Sequence, residues 1–129
     1  MPLEPKVRHI IDNMENAVVV HASGVSIALN KGVPALLGRP AEKILWRRLS
    51  KFIDPLSLPR LTRWIESGDR SAILVNGIRA GGRLIQLQLA TLATLAYAGG
   101  RCVKIISLIE FAAKERLAQD SLSASNCRG

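Results

Sequence analysis

The sequence predicts an α+β fold built around one antiparallel sheet, and three observations support this prediction. From Leu84 onward, apolar residues alternate with glutamines, which is the period-two pattern of a strand with two unlike faces. Gly99-Gly100 then interrupts an apolar run that ends at Phe111, and a glycine pair supplies the positive φ of a tight hairpin. A shorter strand pair lies far upstream, and neither pair alone can bury its apolar face. We therefore expect both pairs to share one sheet.

The N-terminal part of the chain is expected to form a helix followed by the first hairpin. Apolar residues recur at helical spacing between Pro5 and Met14, which indicates an amphipathic helix. Its stripe consists of Val7, Ile10, Ile11 and Met14. The hairpin extends from Ala17 to Leu29, and we expect His21 to Gly24 to form its turn.

Short helices are expected between the two strand pairs. The segments Lys31–Leu37, Ala41–Trp46 and Leu58–Ser67 have helical spacing or helix-starting residues, and glycines follow the first and the last. A third strand is expected from Ser71 to Arg79. We divide the chain into a flanking helix at 1–16, a domain at 17–111, and a linker helix with a disordered tail at 112–129.

Composition limits the class of protein and its compartment. A chain of 129 residues suits one domain. The uncharged stretch from Leu84 to Gly100 alternates as a strand does, so it is not expected to span a membrane. The first residues have no signal-peptide core, and Cys102 and Cys127 are not expected to form a disulfide. We therefore expect a cytoplasmic protein.

The charge of the chain suggests a second kind of partner. The net charge is +8, and basic residues are concentrated between Arg39 and Arg63. Lys43, Arg47 and Lys51 are spaced four apart, so a continuous helix would place them on one face. An anionic ligand, an acidic partner or nucleic acid would suit such a surface. The alternative is a solvated face, because stacking aromatics do not interleave with the arginines.

Several segments resemble the PAS domain family. The resemblance begins with Val18 to Asn30, which is similar to the opening hairpin of a PAS domain. It continues through a family pattern of leucine, glycine and glutamate and then through a helix, a glycine turn and a long strand, covering about Val7 to Phe111. The residues that carry this continuation are Gly32, Leu36-Leu37-Gly38, Glu42-Lys43-Ile44-Leu45, Phe52-Ile53-Asp54-Pro55, Gly68 and Gly81-Gly82.

This resemblance implies a five-stranded antiparallel sheet of order 2-1-5-4-3 with helices over one face. PAS domains bind small molecules or cofactors, dimerise, and pass a conformational signal to an effector. The resemblance thus implies a non-catalytic sensor or dimerisation module of a bacterial signal-transduction or transcription-regulatory protein. Its expected partners are a second copy, a small molecule, and a downstream effector domain or partner protein. The segment from Ala112 to Leu122 resembles the start of a signalling helix.

Two departures from the family pattern bear on cofactors. His21-Ala22-Ser23 stands where an aspartate is common in the turn, and Trp46 stands where many members have glycine. Trp46 is expected to contact either a ligand or another subunit. Haem-binding members have an axial histidine on the helix before the third strand, and Leu58–Ser67 has none, so haem is not expected. The reactive-cysteine letters of light-sensing LOV members occur only at Asn126-Cys127-Arg128, in the tail.

A non-covalent flavin is the one cofactor that the sequence leaves open. Trp46 or Trp64 would be its stacking partner, and the alternative is that both are ordinary core or interface residues. We expect the ligand pocket in the gap between helices and sheet. The pocket candidates are Leu49, Phe52, Ile53, Leu61, Trp64 and Ile65 from the helices, and Ile73, Leu87, Leu89 and Ile105 from the sheet. We expect a homodimer through the leading helix and the outer sheet face.

Catalysis and metal binding are not expected. Histidines, cysteines and carboxylates are not clustered at the spacing of metal ligands. His9 and His21 belong to an early helix and turn and have no nucleophile motif around them. A small α+β enzyme with an apolar substrate would also need an acid–base pair, which the sequence does not suggest.

Overall fold

The computed structural model describes residues 5–68, 71–96 and 102–111. Helices and strands follow one another in the predicted order, with short 3₁₀ turns between α2 and α3. The elements are α1 (Pro5–Asp12), β1 (Ala17–Ala22), β2 (Val25–Leu29), α2 (Gly32–Leu37), α3 (Leu58–Ser67), β3 (Ile73–Ile78), β4 (Leu84–Ala96) and β5 (Cys102–Glu110). The predicted Gly99-Gly100 turn and the predicted linker helix at 112–122 lie outside the described residues.

The five strands form one antiparallel sheet of order β2-β1-β5-β4-β3, which confirms the predicted order. The two hairpins meet where β1 pairs with β5, with Val19 opposite Ile106. Because β5 lies between β1 and β4, the second hairpin forms the middle of the sheet. An antiparallel sheet of this kind can be covered by a layer of helices on one face.

The first hairpin differs from the prediction at its turn. β1 continues through Ala22, and His21 pairs with Ser26 on one side and Lys104 on the other. The turn is formed by Ser23 and Gly24, whose φ values are +50° and +85°. Two consecutive positive φ values are typical of the type I′ turn that joins twisted strands. The prediction that His21 lies in the turn was therefore wrong.

Apolar side chains are buried on both faces of the sheet. On one face, Val19, Leu87 and Ile106 pack beneath α2, α3 and the turns between them. On the other face, Val18 and Val20 pack with Ile11 of α1. β1 therefore contributes alternate side chains to two separate cores, as strand geometry requires.

The segment between α2 and α3 hydrogen-bonds to both edges of the sheet. At the β2 edge, Trp46 N donates to Ser26 O at 2.8 Å and Leu49 N donates to Gly24 O at 2.8 Å. At the β3 edge, Asp54 N donates to the Asn76 carbonyl at 2.8 Å. Both edge strands are thus partly paired, which limits edge-to-edge association.

This segment is not the continuous helix that would align Lys43, Arg47 and Lys51. It consists of 3₁₀ turns at Ala41–Lys43, Leu49–Phe52 and Pro55–Ser57. Trp46 interrupts it with a φ of +64°, a left-handed conformation that no helix can contain.

Candidate functional site

The interior between helices and sheet is almost full. A cavity of about 20 Å³ remains there, which is room for about one water molecule. Six of the predicted pocket residues line it: Leu49, Phe52, Ile53, Leu61, Leu87 and Leu89. Apolar side chains from both layers meet at this point, so the interior is a packed core.

The other predicted pocket residues do not line this cavity. Trp64 is buried in this core, and its Nε1 donates to the Ser71 carbonyl at 2.8 Å. Ile73 packs at the edge of the same core. Ile105 lies on the opposite face, among residues under α1, so its predicted place facing the helices was wrong. Its neighbour Ile106 takes that place because β1 and β5 pair in that register.

A larger cleft opens at the end of the same layer, on the helix side of the sheet. We call it the His21 cleft. It has a volume of about 470 Å³ and lies between β1, β5, α3 and the turn at Gly24. The residues that line it are His21, Ser23, Gly24, Arg48, Ser50, Leu61, Thr62, Ile65, Glu66, Cys102 and Lys104. Leu61 and Ile65 are the two members of the predicted pocket in this set.

His21 is the buried polar residue of the cleft, with 2% of its side chain exposed. The backbone N–H of Gly24 donates to its Nδ1 at 3.1 Å. Because Nδ1 accepts, the hydrogen of the neutral ring is on Nε2. Burial, and to a lesser degree the charge of Lys104, lowers the pKa of His21 from 6.5 to about 4. The ring is therefore neutral near pH 7.

Lys104 lies beside His21, because the two residues pair directly across β1 and β5. Its Nζ donates to the Ile65 carbonyl at 3.1 Å, so the side chain reaches from β5 to α3. An ammonium has three donors, and this bond uses one of them. Lys104 thus holds a positive charge beside a neutral imidazole.

A second, more open cleft contains basic residues predicted from the sequence, and we call it the basic cleft. Arg39, Lys43, Arg47 and Lys51 all line it, although they do not share a helix. The guanidinium of Arg39 lies 5.5 Å from the centre of the Phe52 ring. Its Nε is buried and has no hydrogen-bond partner in the described part of the chain.

Trp46 is exposed over 60% of its side chain and lines neither cleft nor the internal cavity. Trp46 has a left-handed backbone at the position where PAS domains commonly have glycine. Glycine adopts this conformation without steric cost, which explains why it is common there. A bulky residue with positive φ is a genuine outlier. The expected ligand contact of Trp46 is therefore not found at the described pockets, and an interface role stays a prediction.

The stripe of α1 is largely used within the chain itself. Ile11 is fully buried against the outer face of the sheet, and Val7 and Met14 pack around it. Ile10 points away and is 59% exposed. Ile11 is thus not available to a partner, which corrects the predicted set of interface residues.

Two further properties concern the described residues only. Within 5–68, 71–96 and 102–111, no group of three or more His, Cys, Asp or Glu side chains could hold a metal ion. In the same ranges, no helix is long and apolar enough to cross a membrane.

Comparison with known proteins gives matches to solved structures. The PAS domain of an HTR-like protein from Haloarcula marismortui is 15% identical, with 82% of this chain covering 89% of that one at a TM-score of 0.67. The PAS domain of a two-component sensor histidine kinase is 14% identical, with coverage of 82% and 94% and a TM-score of 0.69. The chain has the PAS fold.

Other comparisons refine this result. A light-oxygen-voltage domain studied with a flavin analogue is 15% identical, with 98% of each chain covered and a TM-score of 0.68. No family model matches the sequence. No curated protein matches it either. The PAS fold is thus established by structure, at identities too low to carry over a ligand.

The flavin expected as an open alternative does not fit the PAS interior as it is packed here. Pockets for molecules of that size occupy about 300 Å³ or more, whereas the internal cavity measures about 20 Å³. Neither predicted stacking partner is suitable, because Trp46 is outside the cavity and Trp64 does not line it. The geometry therefore gives no support to a flavin in the internal cavity.

Sequence reasoning missed His21 as a site residue. It placed His21 in the turn, where a polar side chain is usually exposed and does not indicate a binding site. The available signal was the sequence Val18-Val19-Val20-His21-Ala22, in which a histidine continues a strand pattern. Lys104 gave a similar signal, since it interrupts the apolar run of β5.

Proposed function

We propose that this chain is a non-catalytic PAS sensor module of a bacterial signal-transduction or transcription-regulatory protein. It binds a small molecule in the His21 cleft and passes the signal to an effector domain or partner protein. The observation that carries the proposal is a cleft of about 470 Å³ on the helix side of a PAS sheet, with a buried histidine in its wall. That volume is within the usual range for small-molecule pockets.

A thermal-shift screen against a library of small metabolites tests this proposal. At least one ligand is expected to raise the melting temperature in a concentration-dependent way, because binding to the folded state stabilises it. Thr62→Trp, in the wall of the cleft, should abolish that shift by filling the space. Ala35→Trp adds the same side chain at an exposed position of α2 and should preserve the shift. If ligands bind equally well to both variants, the cleft is not the site.

A second candidate function is a basic adaptor that binds nucleic acid or an acidic partner through Arg39–Arg63. What favours it is the convergence of Arg39, Lys43, Arg47 and Lys51 on one cleft, where none forms an ion pair with a described carboxylate. Such a surface would bind phosphates with a strong salt dependence.

Salt titration separates the two candidates. If the adaptor proposal holds, the affinity for a labelled single-stranded RNA falls with salt, with a log–log slope of about −3 for four phosphate contacts. Arg47→Gln with Lys51→Gln should reduce that slope. Lys6→Gln with Lys31→Gln, at two exposed residues outside the basic cleft, removes the same number of charges and serves as the control. Absence of RNA and DNA binding at low salt would reject nucleic acid as the partner.

A further inference from the structure

The His21 cleft contains a hydrogen-bond donor without an acceptor. Gly24 N–H occupies Nδ1 of His21, so Nε2 carries the ring hydrogen. Nε2 is buried, and it has no partner among the residues that the structure describes. Leaving a buried donor without an acceptor is unfavourable, so such groups call for an explanation. A ligand that presents an acceptor to this nitrogen would satisfy it.

The charges around the cleft specify what kind of acceptor fits. Lys104 lies directly across the sheet from His21, and its ammonium keeps two donors after bonding to the Ile65 carbonyl. The exposed side chain of Arg48 lines the cleft from the β2 side. Glu66 on α3 is the carboxylate in the described lining. Two cations and one neutral donor thus face one anion.

We propose that the His21 cleft binds the carboxylate group of a small organic molecule, with His21 and Lys104 as its donors and Arg48 as an additional positive charge. This inference rests on the proposed sensor function and gives it a ligand class. Leu61 and Ile65 contact the rest of the molecule, because they are the apolar part of the lining. Charge-assisted hydrogen bonds to a carboxylate are stronger than those between neutral groups.

The composition of the cleft favours a carboxylate over a phosphate or a neutral ligand. A doubly charged phosphate, together with Glu66, would place three negative charges against two cations and leave the cleft with a net negative charge. A neutral carbonyl would satisfy His21 but would leave the charges of Lys104 and Arg48 unused. A single negative charge leaves the cleft with balanced charges, since two cations then face two anions.

The test uses matched pairs of probes that differ in one charge. Phenylacetate, benzoate and butyrate, which each carry one negative charge, are titrated into the protein, each beside its uncharged amide. Binding is followed by ¹⁵N NMR of the histidine rings and of the backbone at His21 and Lys104. At least one acid is expected to bind about tenfold more tightly than its amide and to shift the His21 Nε2 resonance. If no acid shifts that resonance up to millimolar concentrations, the proposal is wrong.

Two variants change the charge of the cleft in opposite directions. Lys104→Met should weaken binding of the same acid about tenfold, and Glu66→Gln should strengthen it about threefold. Arg48→Gln, at an exposed residue, gives a second loss of positive charge should Lys104→Met fail to fold. Lys31→Met is the matched control, because Lys31 is exposed at the start of α2 and does not line the cleft. Equal effects of Lys31→Met and Lys104→Met would contradict the assignment.

The outcomes distinguish this inference from the proposed function on which it rests. Suppose that the metabolite screen yields only neutral ligands, all blocked by Thr62→Trp. The sensor proposal would then stand and the carboxylate assignment would fail. If carboxylates bind but Thr62→Trp does not block them, the chain binds anions elsewhere, and both the cleft and its ligand class are rejected.

Discussion

His21 is neutral in the folded chain because burial and Lys104 disfavour its charged form, which lowers its pKa to about 4. The unfolded chain takes up that proton near pH 6.5. Between these values the unfolded state therefore binds more protons, so the free energy of unfolding falls as the pH decreases. The loss approaches about 3 kcal/mol over the whole window, at about 1.4 kcal/mol per pH unit.

Urea unfolding of the wild type and His21→Gln between pH 7 and pH 4 measures this effect. Lys104, Arg48 and Glu66 face the same cleft and remain in both proteins, so the difference between the curves isolates His21. We expect the variant to lose less stability on acidification than the wild type. His9→Gln, at an exposed histidine of α1, should keep the wild-type slope. Parallel curves for the wild type and His21→Gln would contradict the prediction.

The positive φ of Trp46 predicts how substitutions at this position change stability. Left-handed φ costs a residue with a Cβ about 1–2 kcal/mol, whereas glycine has no such cost. Trp46→Gly should therefore be more stable than Trp46→Ala by about 1 kcal/mol, the reverse of the usual order in flexible segments. Both variants lose the same indole, so thermal unfolding of the pair compares the backbone alone. If Trp46→Ala is the more stable, the positive φ is wrong.

At the scale of elements, α1 is stabilised by one of its two adjacent isoleucines. Ile11 is fully buried on the outer face of the sheet, whereas Ile10 is 59% exposed. Ile11→Ala should cost about 2–4 kcal/mol in the free energy of unfolding, because it leaves a cavity beneath α1. Ile10→Ala should change it by less than about 0.5 kcal/mol. Equal losses in the two variants, measured by chemical denaturation, would show that α1 does not dock as described.

How well each helix or strand could be predicted depended on how much its two faces differ in polarity. The stripe of α1 predicted a helix with one buried side, and the glutamines of β4 predicted its register. β5 gave no such signal, because residues from Ile105 to Leu108 are all buried. A strand covered on both faces shows no alternation, so Ile105 could not be assigned to a face from sequence. The turns between Ala41 and Ser57 were predicted as more regular helix than they are, because the conformation of Trp46 has no sequence signal.

At the scale of the molecule, the outer sheet face has exposed apolar side chains on β3, β4 and β5. Leu74 and Ile109 lie opposite Gln88 on that face and are 41% and 38% exposed, and Leu84 is 53% exposed nearby. We propose that the predicted homodimer forms here, since a second copy would bury this row. Ile10 of α1 is also exposed and so remains available to a second copy.

Sedimentation of Leu74→Lys with Ile109→Lys tests the dimer. We expect monomer for this variant and dimer for the wild type, because charges placed in an apolar interface are costly to bury. Leu56→Lys is the control, since Leu56 is 91% exposed in a turn on the helix side. A wild-type monomer, or a dimer that persists in the double variant, would reject this interface.

The strand order followed from the resemblance, because an ordered series of weak motifs constrains topology even when each is weak alone. Whether the interior was open could not be predicted, because periodicity gives the face of Leu49, Leu61 and Leu87 but not how tightly they meet. The His21 cleft depends on contacts between β1, β5 and α3, which lie far apart in sequence. The local pattern of residues does not predict which distant segments come into contact.

The two-sided character of β1 has a mechanical consequence. His21 and Val20 are neighbours in the chain, yet one belongs to the cleft wall and the other lies beneath α1. Consecutive side chains share one stiff backbone, so a small rotation of the peptide between them displaces both. A ligand in the cleft on one side of this strand would thereby also shift Val20 and the position of α1 on the other side.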